Sequence, residues 1–260
     1  MARARAASGA AARWPRTLHG MSDEQHPPRH ARSADEELLE AETTAILAEL
    51  TDAQRLLRIQ DELRDGFTAL SHIGKAVSIF GSARTDPEAP EYGQARELAA
   101  KLGSEGFSII TGGGPGIMEA ANRGARDAGV LSVGLGIELP HEQGMNEWVD
   151  LGLEFHYFFT RKVMFVRYAS AFVVFPGGFG TMDELFEAAT LRQTEKIRYF
   201  PIVLVGSDYW GGLVDWLRDR MLSDGYISPG DVDTLAVCDD LDHVIEIVED
   251  VEHRRPRRAA

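Results

Sequence analysis

Three short apolar runs in this chain end in glycine-rich turns that lead straight into helical patterns. Ala76–Phe80 is followed by Gly81-Ser82-Ala83-Arg84, and Phe107–Ile110 by Thr111-Gly112-Gly113-Gly114-Pro115-Gly116. Ala171–Phe175 is followed by Pro176-Gly177-Gly178-Phe179-Gly180-Thr181. A strand apolar on both faces has to be covered on both, and a helix between successive strands makes them parallel. The rest of the chain keeps the rhythm. Strands are expected at Val130–Ile137, Glu154–Phe158, Phe200–Val205 and Leu235–Val237. Helices are expected after Pro90, over Ile117–Asp127, Arg161–Tyr168, Trp210–Leu222 and Leu241–Val251, and from the third glycine turn to Leu191. The fold class is α/β: a doubly wound, Rossmann-like parallel sheet with helices on both faces, over residues 74–252.

A helical extension over residues 34–73 is expected in front of it. Leu39, Ile46 and Leu50 recur at helical spacing, with Asp35, Glu36 and Glu37 in the first turn, where the helix dipole favours acids. Thr51-Asp52-Ala53-Gln54 reads as a capping box opening a second helix, with Leu56, Ile59, Leu63, Phe67 and Leu70 on one face. That stripe wraps the domain or joins two subunits.

Charge bounds the partners. The net charge is −14, but residues 1–33 carry six Arg against Asp23 and Glu24, and the tail 253–260 adds four more Arg. Residues 34–252 therefore hold 39 acidic against 17 basic side chains. Such a body repels a phosphate backbone, which argues against nucleic acid as a partner. No apolar run is long enough to span a membrane. The single cysteine, Cys238, fits a reducing cytoplasm. Residues 1–33 are expected to be disordered, and Met21, opening MSDEQ, is a candidate translation start.

In parallel sheets ligands bind beyond the carboxyl ends of the strands. Glycines there let backbone amides approach an anion, and the helix N-terminus adds partial positive charge. Three such loops on one edge, offering Gly81, Ser82, Gly113, Gly114, Gly177, Gly178 and Gly180, point to a phosphate-bearing ligand. The chain has no G-x-G-x-x-G, and Ala69 stands where a P-loop ending in Gly74-Lys75 needs its first glycine. His141-Glu142 lacks the second His of a zinc motif, and no other cluster has metal spacing.

Arg161 and Lys162 sit where a first helical turn is expected, and the dipole opposes cations there by ~0.3–1 kcal/mol each. Charge placed against stability suits holding a phosphate or polarising a leaving group. Glu184 has two readings. It faces the ligand, or it closes a T-x-x-E capping box with Thr181. Glu119 either lines the ligand or decorates a first turn, and Met118 either contacts the base or belongs to the core.

Pro176-Gly177-Gly178-Phe179-Gly180-Thr181-Met182-Asp183-Glu184 resembles the P-G-G-x-G-T-x-x-E signature of the Lonely Guy family of phosphoribohydrolases. Arg161-Lys162, twenty-three residues before Glu184, resembles the family's second signature. The resemblance covers about residues 74–252. It implies hydrolysis of the N-glycosidic bond of cytokinin riboside 5′-monophosphates to free base and ribose 5-phosphate, with no cofactor. It implies that Gly178, Gly180 and Thr181 hold the 5′-phosphate of an AMP-like nucleoside monophosphate, and that Arg161 and Glu184 form the catalytic pair. It also implies a homo-oligomer, at least a dimer. The old family label of lysine decarboxylase finds no support in a chain with four lysines and no pyridoxal-phosphate context. The extension resembles longer bacterial members and nucleotide nucleosidases, which opens plain purine or pyrimidine nucleotides as substrates. A protein that binds AMP without turnover is the competing reading.

Overall fold

The computed structural model describes residues 34–39, 51–138 and 144–254. The Arg-rich segment 1–33, Ile46 and Leu50 of the expected first helix, Pro140, His141-Glu142 and the end of the basic tail lie outside them. Seven strands form one all-parallel sheet in the order β4-β3-β2-β1-β5-β6-β7. They are β1 (Ala76–Phe80), β2 (Ser108–Thr111), β3 (Ser132–Ile137), β4 (Leu151–Phe155), β5 (Ala171–Val174), β6 (Ile202–Leu204) and β7 (Leu235–Val237). The chain steps outward from β1 to β4, then returns to the centre and steps outward the other way from β5. That reversal puts a topological switch point between β1 and β5, where such sheets bind ligands. Phe80 is level with Val174 in the register, so the Gly81 and Gly177 turns leave the sheet side by side.

The helices are α1 (Ala34–Leu39), α2 (Asp52–Ala69), α3 (Pro90–Ser104), α4 (Ile117–Asp127), α5 (Phe158–Tyr168), α6 (Phe179–Gln193), α7 (Ser207–Trp216), α8 (Pro229–Val232) and α9 (Leu241–Arg254). One core lies under α3, α4 and α9, built on Val77, Ile79, Ile109, Val173 and Val203. The opposite core lies under α2, α5, α6 and α7. There Phe80 meets Phe165 and Phe172 edge to face, with ring centroids 4.9 and 4.7 Å apart. Alternate residues of one strand thus feed opposite cores, which is why these strands are apolar throughout. No helix of the described residues is long and apolar enough to cross a membrane.

Several boundaries differ from the sequence expectation. The strand expected at Glu154–Phe158 is Leu151–Phe155, because Tyr157 already caps α5, which starts three residues earlier than expected. The helix expected over Trp210–Leu222 is α7, beginning at Ser207, followed by π-helical turns over Leu217–Leu222. α9 runs past Val251 to Arg254.

The Thr51 capping box forms as read, with Gln54 Oε1 accepting from Thr51 N–H at 2.8 Å. The apolar stripe of α2 lies on one face, with Leu56, Ile59, Leu63 and Phe67 lining the same shallow groove. Leu70 is fully buried, whereas Leu56 and Phe67 are exposed. The close contact with the sheet domain is made at Gly66, the buried residue of α2, where the missing side chain lets Met164 of α5 come close. Glu62 ties the same contact, accepting from Thr160 Oγ1 at 2.6 Å and from the His156 amide at 3.1 Å. α2 therefore braces the helix that carries Arg161 and Lys162.

A Cβ at Gly66 would lie 2.8 Å from Met164 Sδ, the far end of a flexible side chain. Gly66→Ala should be nearly neutral, since Met164 can shift and alanine favours helix by about 1 kcal/mol. Gly66→Val overpacks the contact and should cost about 1–3 kcal/mol. Urea midpoints at unchanged slope measure both, and equal midpoints for the two variants would contradict this packing account.

Candidate functional site

The three glycine turns are tied together by one residue. The Ser82 amide donates to Pro176 O at 2.9 Å, and Ser82 O accepts from the Ile117 amide at 3.1 Å. Ser82 Oγ accepts from the Arg84 amide at 3.0 Å, so the hydroxyl holds its own turn. The second turn is held from outside by Asn146, which sequence reasoning missed. Its Nδ2 donates to Gly113 O, Gly114 O and Asn122 Oδ1 at 3.0, 2.9 and 3.0 Å. Asn122 in turn accepts from Thr111 Oγ1 at 2.6 Å and donates to Ser132 Oγ at 2.9 Å. No local pattern could reveal this, because Asn146 reaches the turn from 32 and 33 residues away. The third turn is held by Tyr209, whose hydroxyl donates to Gly177 O at 2.6 Å.

The glycines divide by what surrounds them. A Cβ at Gly112 would lie 2.5 Å from Arg161 Nη2 and 2.7 Å from Met118 Sδ, so this glycine makes room for the guanidinium. At Gly177 the Thr181 side chain occupies that place. Thr181 is accordingly buried. At Gly178 and Gly180 a Cβ would meet nothing. Gly178 is the N-cap of α6 and supplies no side chain to cap it. Among the described residues no hydrogen bond leaves the amides of Phe179, Gly180 or Thr181. An open, uncapped helix N-terminus flanked by glycine suits an anion.

This start of α6 removes one reading of Glu184. Thr181 lies inside the helix, not at its N-cap, so the T-x-x-E sequence forms no capping box. Glu184 stands in the second turn rather than the first, on the buried side, 6% exposed. Its Oε2 is buried with no hydrogen-bond partner. Burial pushes its carboxyl up to about 7, against the pull of Lys162 and, less strongly, Arg161.

Arg161 and Lys162 do not point into solvent. Arg161 Nε donates to Leu135 O of β3 at 2.7 Å, and its guanidinium lies 5.1 Å over the Phe165 ring. It thus stands between the second turn and the aromatic core. Lys162 turns the other way, toward α6. Its Nζ is 2.6 Å from Glu187 Oε2, 2.9 Å from Asp183 Oδ2 and 3.8 Å from Glu184 Oε2. Burial alone would lower the Lys162 ammonium, but its bonds to Glu187 and Asp183 outweigh that and raise it. Asp183 and Glu187 are four apart on one helix, a repulsive pair unless a cation stands over it. That spacing was the available signal for this contact.

Two other candidates are engaged. Met118 folds over the second turn, within reach of Gly112 and Gly114. Glu119 Oε1 accepts from Tyr92 OH at 2.8 Å. Elsewhere, a cleft of about 460 Å³ opens between α2 and β4, and none of the site residues predicted from the sequence lines it.

The family described as "Possible lysine decarboxylase" matches residues 118–248, a stretch that holds Arg161, Lys162 and the whole third turn. A cytokinin riboside 5′-monophosphate phosphoribohydrolase of Mycobacterium tuberculosis is 34% identical over 164 residues, covering 58% of this chain and 84% of that protein. The protein of the same description in Mycobacterium marinum is 29% identical over 173 residues, covering 65% of this chain and 91% of that one. Among solved structures, a molybdenum cofactor carrier protein from Chlamydomonas reinhardtii superposes with a TM-score of 0.52 at 20% identity, over 69% of this chain and 98% of that chain. The X-ray structure of TM1055 gives 0.53 at 22%, over 68% and 99%. Likeness at those identities is likeness of fold. The sequence relationship goes further: with half its length matched by that family and a third of its aligned residues shared with a phosphoribohydrolase, the chain belongs to the Lonely Guy family, also described as possible lysine decarboxylases.

Proposed function

We propose that this protein hydrolyses the N-glycosidic bond of nucleoside 5′-monophosphates, cytokinin riboside 5′-monophosphates among them, releasing free base and ribose 5-phosphate. The observation that carries the reading is Glu184: a buried carboxylate with an unbonded oxygen, raised to about 7, beside two cations. The mycobacterial relatives, described as cytokinin riboside 5′-monophosphate phosphoribohydrolases, support it.

The 5′-phosphate sits on the amides at the start of α6, where Gly178 and Gly180 leave the approach open. Departure of the base leaves an oxocarbenium-like sugar. Glu184 stabilises that cation and takes a proton from the attacking water, whose hydroxyl joins C1′. The proton then passes to the departing base. A group near 7 suits both transfers at neutral pH. Arg161, held by Leu135 O and Phe165, offsets the negative charge that builds on the base.

A decarboxylase reading would need a lysine amine able to form a Schiff base. Lys162 does not fit that need, because its ammonium is bound to Asp183 and Glu187 and held protonated.

Incubation with AMP and with isopentenyladenosine monophosphate, followed by chromatography, should yield free base and ribose 5-phosphate. The logarithm of kcat/KM should climb as pH rises through about 7, as Glu184 loses its proton. Nucleotide recovered intact while still bound would replace the enzyme by a nucleotide-binding protein.

A further inference from the structure

Lys162 stands next to Arg161 in sequence, yet its ammonium is engaged away from the glycine turns. We propose that Lys162 is a positioning residue: clamped between Asp183 and Glu187, it presents positive charge to the Glu184 carboxylate without bonding to it, and takes no part in holding the ligand. The inference rests on the role given to Glu184 above.

The distances carry the argument. Nζ lies at hydrogen-bonding range from Glu187 Oε2 and Asp183 Oδ2, at 2.6 and 2.9 Å, but 3.8 Å from Glu184 Oε2. The last separation is too long for a hydrogen bond and short for Coulomb attraction. Lys162 is mostly buried, with its side chain 14% exposed, so water screens the charge weakly. The two outer carboxylates thus do more than balance a lysine. They hold it back from Glu184 Oε2, which keeps that oxygen free of hydrogen bonds. A free oxygen can exchange a proton; one locked to an ammonium exchanges it poorly.

The groups that face Glu184 are Lys162 and Arg161 from α5 and Asp183 and Glu187 from its own helix. Both cations favour the ionised form, Lys162 the more strongly, while the two acids oppose it. Arg161 is anchored on Leu135 O, toward the second turn. Removing Lys162 would therefore leave Glu184 with its stronger cation gone and two uncompensated acids nearby. Removing the charges of Asp183 and Glu187 does the reverse. It frees the ammonium to close on Glu184, favouring ionisation and occupying the oxygen.

Opposite shifts from the two sides of one clamp separate this role from a structural one. The experiment is a pH titration of the protonated Glu184 carboxyl by infrared difference spectroscopy, identified as the band missing in Glu184→Gln. Activity profiles are recorded in parallel. Lys162→Met should raise the midpoint by roughly 1–3 pH units. Asp183→Asn/Glu187→Gln should lower it, and should lower the plateau of kcat as well. Lys162→Arg, which keeps the charge, should restore most of the wild-type midpoint. Titration of the substrate phosphate, near 6, is common to all variants and cancels in the comparison.

A midpoint unmoved in folded Lys162→Met, or moved the same way in both variants, overturns the proposal. So does a Lys162→Met enzyme whose only change is a higher KM, which would make the lysine a ligand contact. Midpoints that shift as expected in a protein that releases no base would uphold the clamp and remove the hydrolase reading instead.

Discussion

Glu184→Gln should release essentially no free base, with a loss of about 10²–10⁴ in kcat, and should at the same time gain stability on the alkaline side. Both effects come from one cause. Gln matches Glu in shape but neither ionises nor accepts a proton from water, so the chemistry stops. In the folded protein the Glu184 carboxyl is raised from an ordinary 4.5 to about 7, mainly because burial penalises its charge. The folded state therefore holds this proton more tightly than the unfolded chain does. The contribution to stability is complete below about 4.5 and declines as pH rises to about 7 and just beyond, where both states are ionised. The difference amounts to about 3 kcal/mol. The stability gap between Glu184→Gln and wild type should thus widen by about 3 kcal/mol from pH ~4 to pH ~8. Urea titrations of both proteins at the two pH values measure it. Parallel pH dependences would mean that Glu184 is not strained by burial, and that its raised pKa is not the basis of its role.

Arg161→Lys should lower kcat and kcat/KM together by about 10²–10³ while preserving the charge. The guanidinium meets three constraints at once: Nε bonds Leu135 O at 2.7 Å, the plane lies over Phe165, and Nη2 occupies the space beside Gly112. An ammonium is a point charge on a flexible stem and cannot satisfy a carbonyl, a ring face and the glycine turn together. Steady-state kinetics with AMP would test this. A rise in KM with kcat unchanged would show that Arg161 contributes uniform binding and does not act in the transition state.

The alternation of apolar runs and glycine turns was enough to read a parallel sheet, because strand pattern and turn chemistry are set within a few residues. Ala171–Phe175 followed by Pro176-Gly177-Gly178 allows little else. Element ends were less legible. Tyr157 and Phe158 read as strand because aromatic residues suit strands, but Tyr157 is the N-cap of α5 and Phe158 its first residue, whose amide donates to Asp35 Oδ2 at 3.1 Å. The T-x-x-E pattern at Thr181 misled for a related reason. A capping box depends on where the helix begins, and Thr181 is needed under Gly177 instead of at the N-cap.

The sequence by itself determined the parallel sheet, the edge where a ligand is to be expected, and the nine-residue signature with its upstream Arg161-Lys162 pair. These are properties of neighbours along the chain. Only the tertiary structure decided which partners those residues have: that Arg161 faces β3 and the second turn, that Lys162 faces Asp183 and Glu187, and that Asn146 holds the Gly113 loop. Successive residues on a helix point about 100° apart, so the same two cations could have met the ligand, the solvent or each other's partners. The rotation of α5 against α6 and the sheet settles that, and it is fixed by packing among residues far apart in sequence.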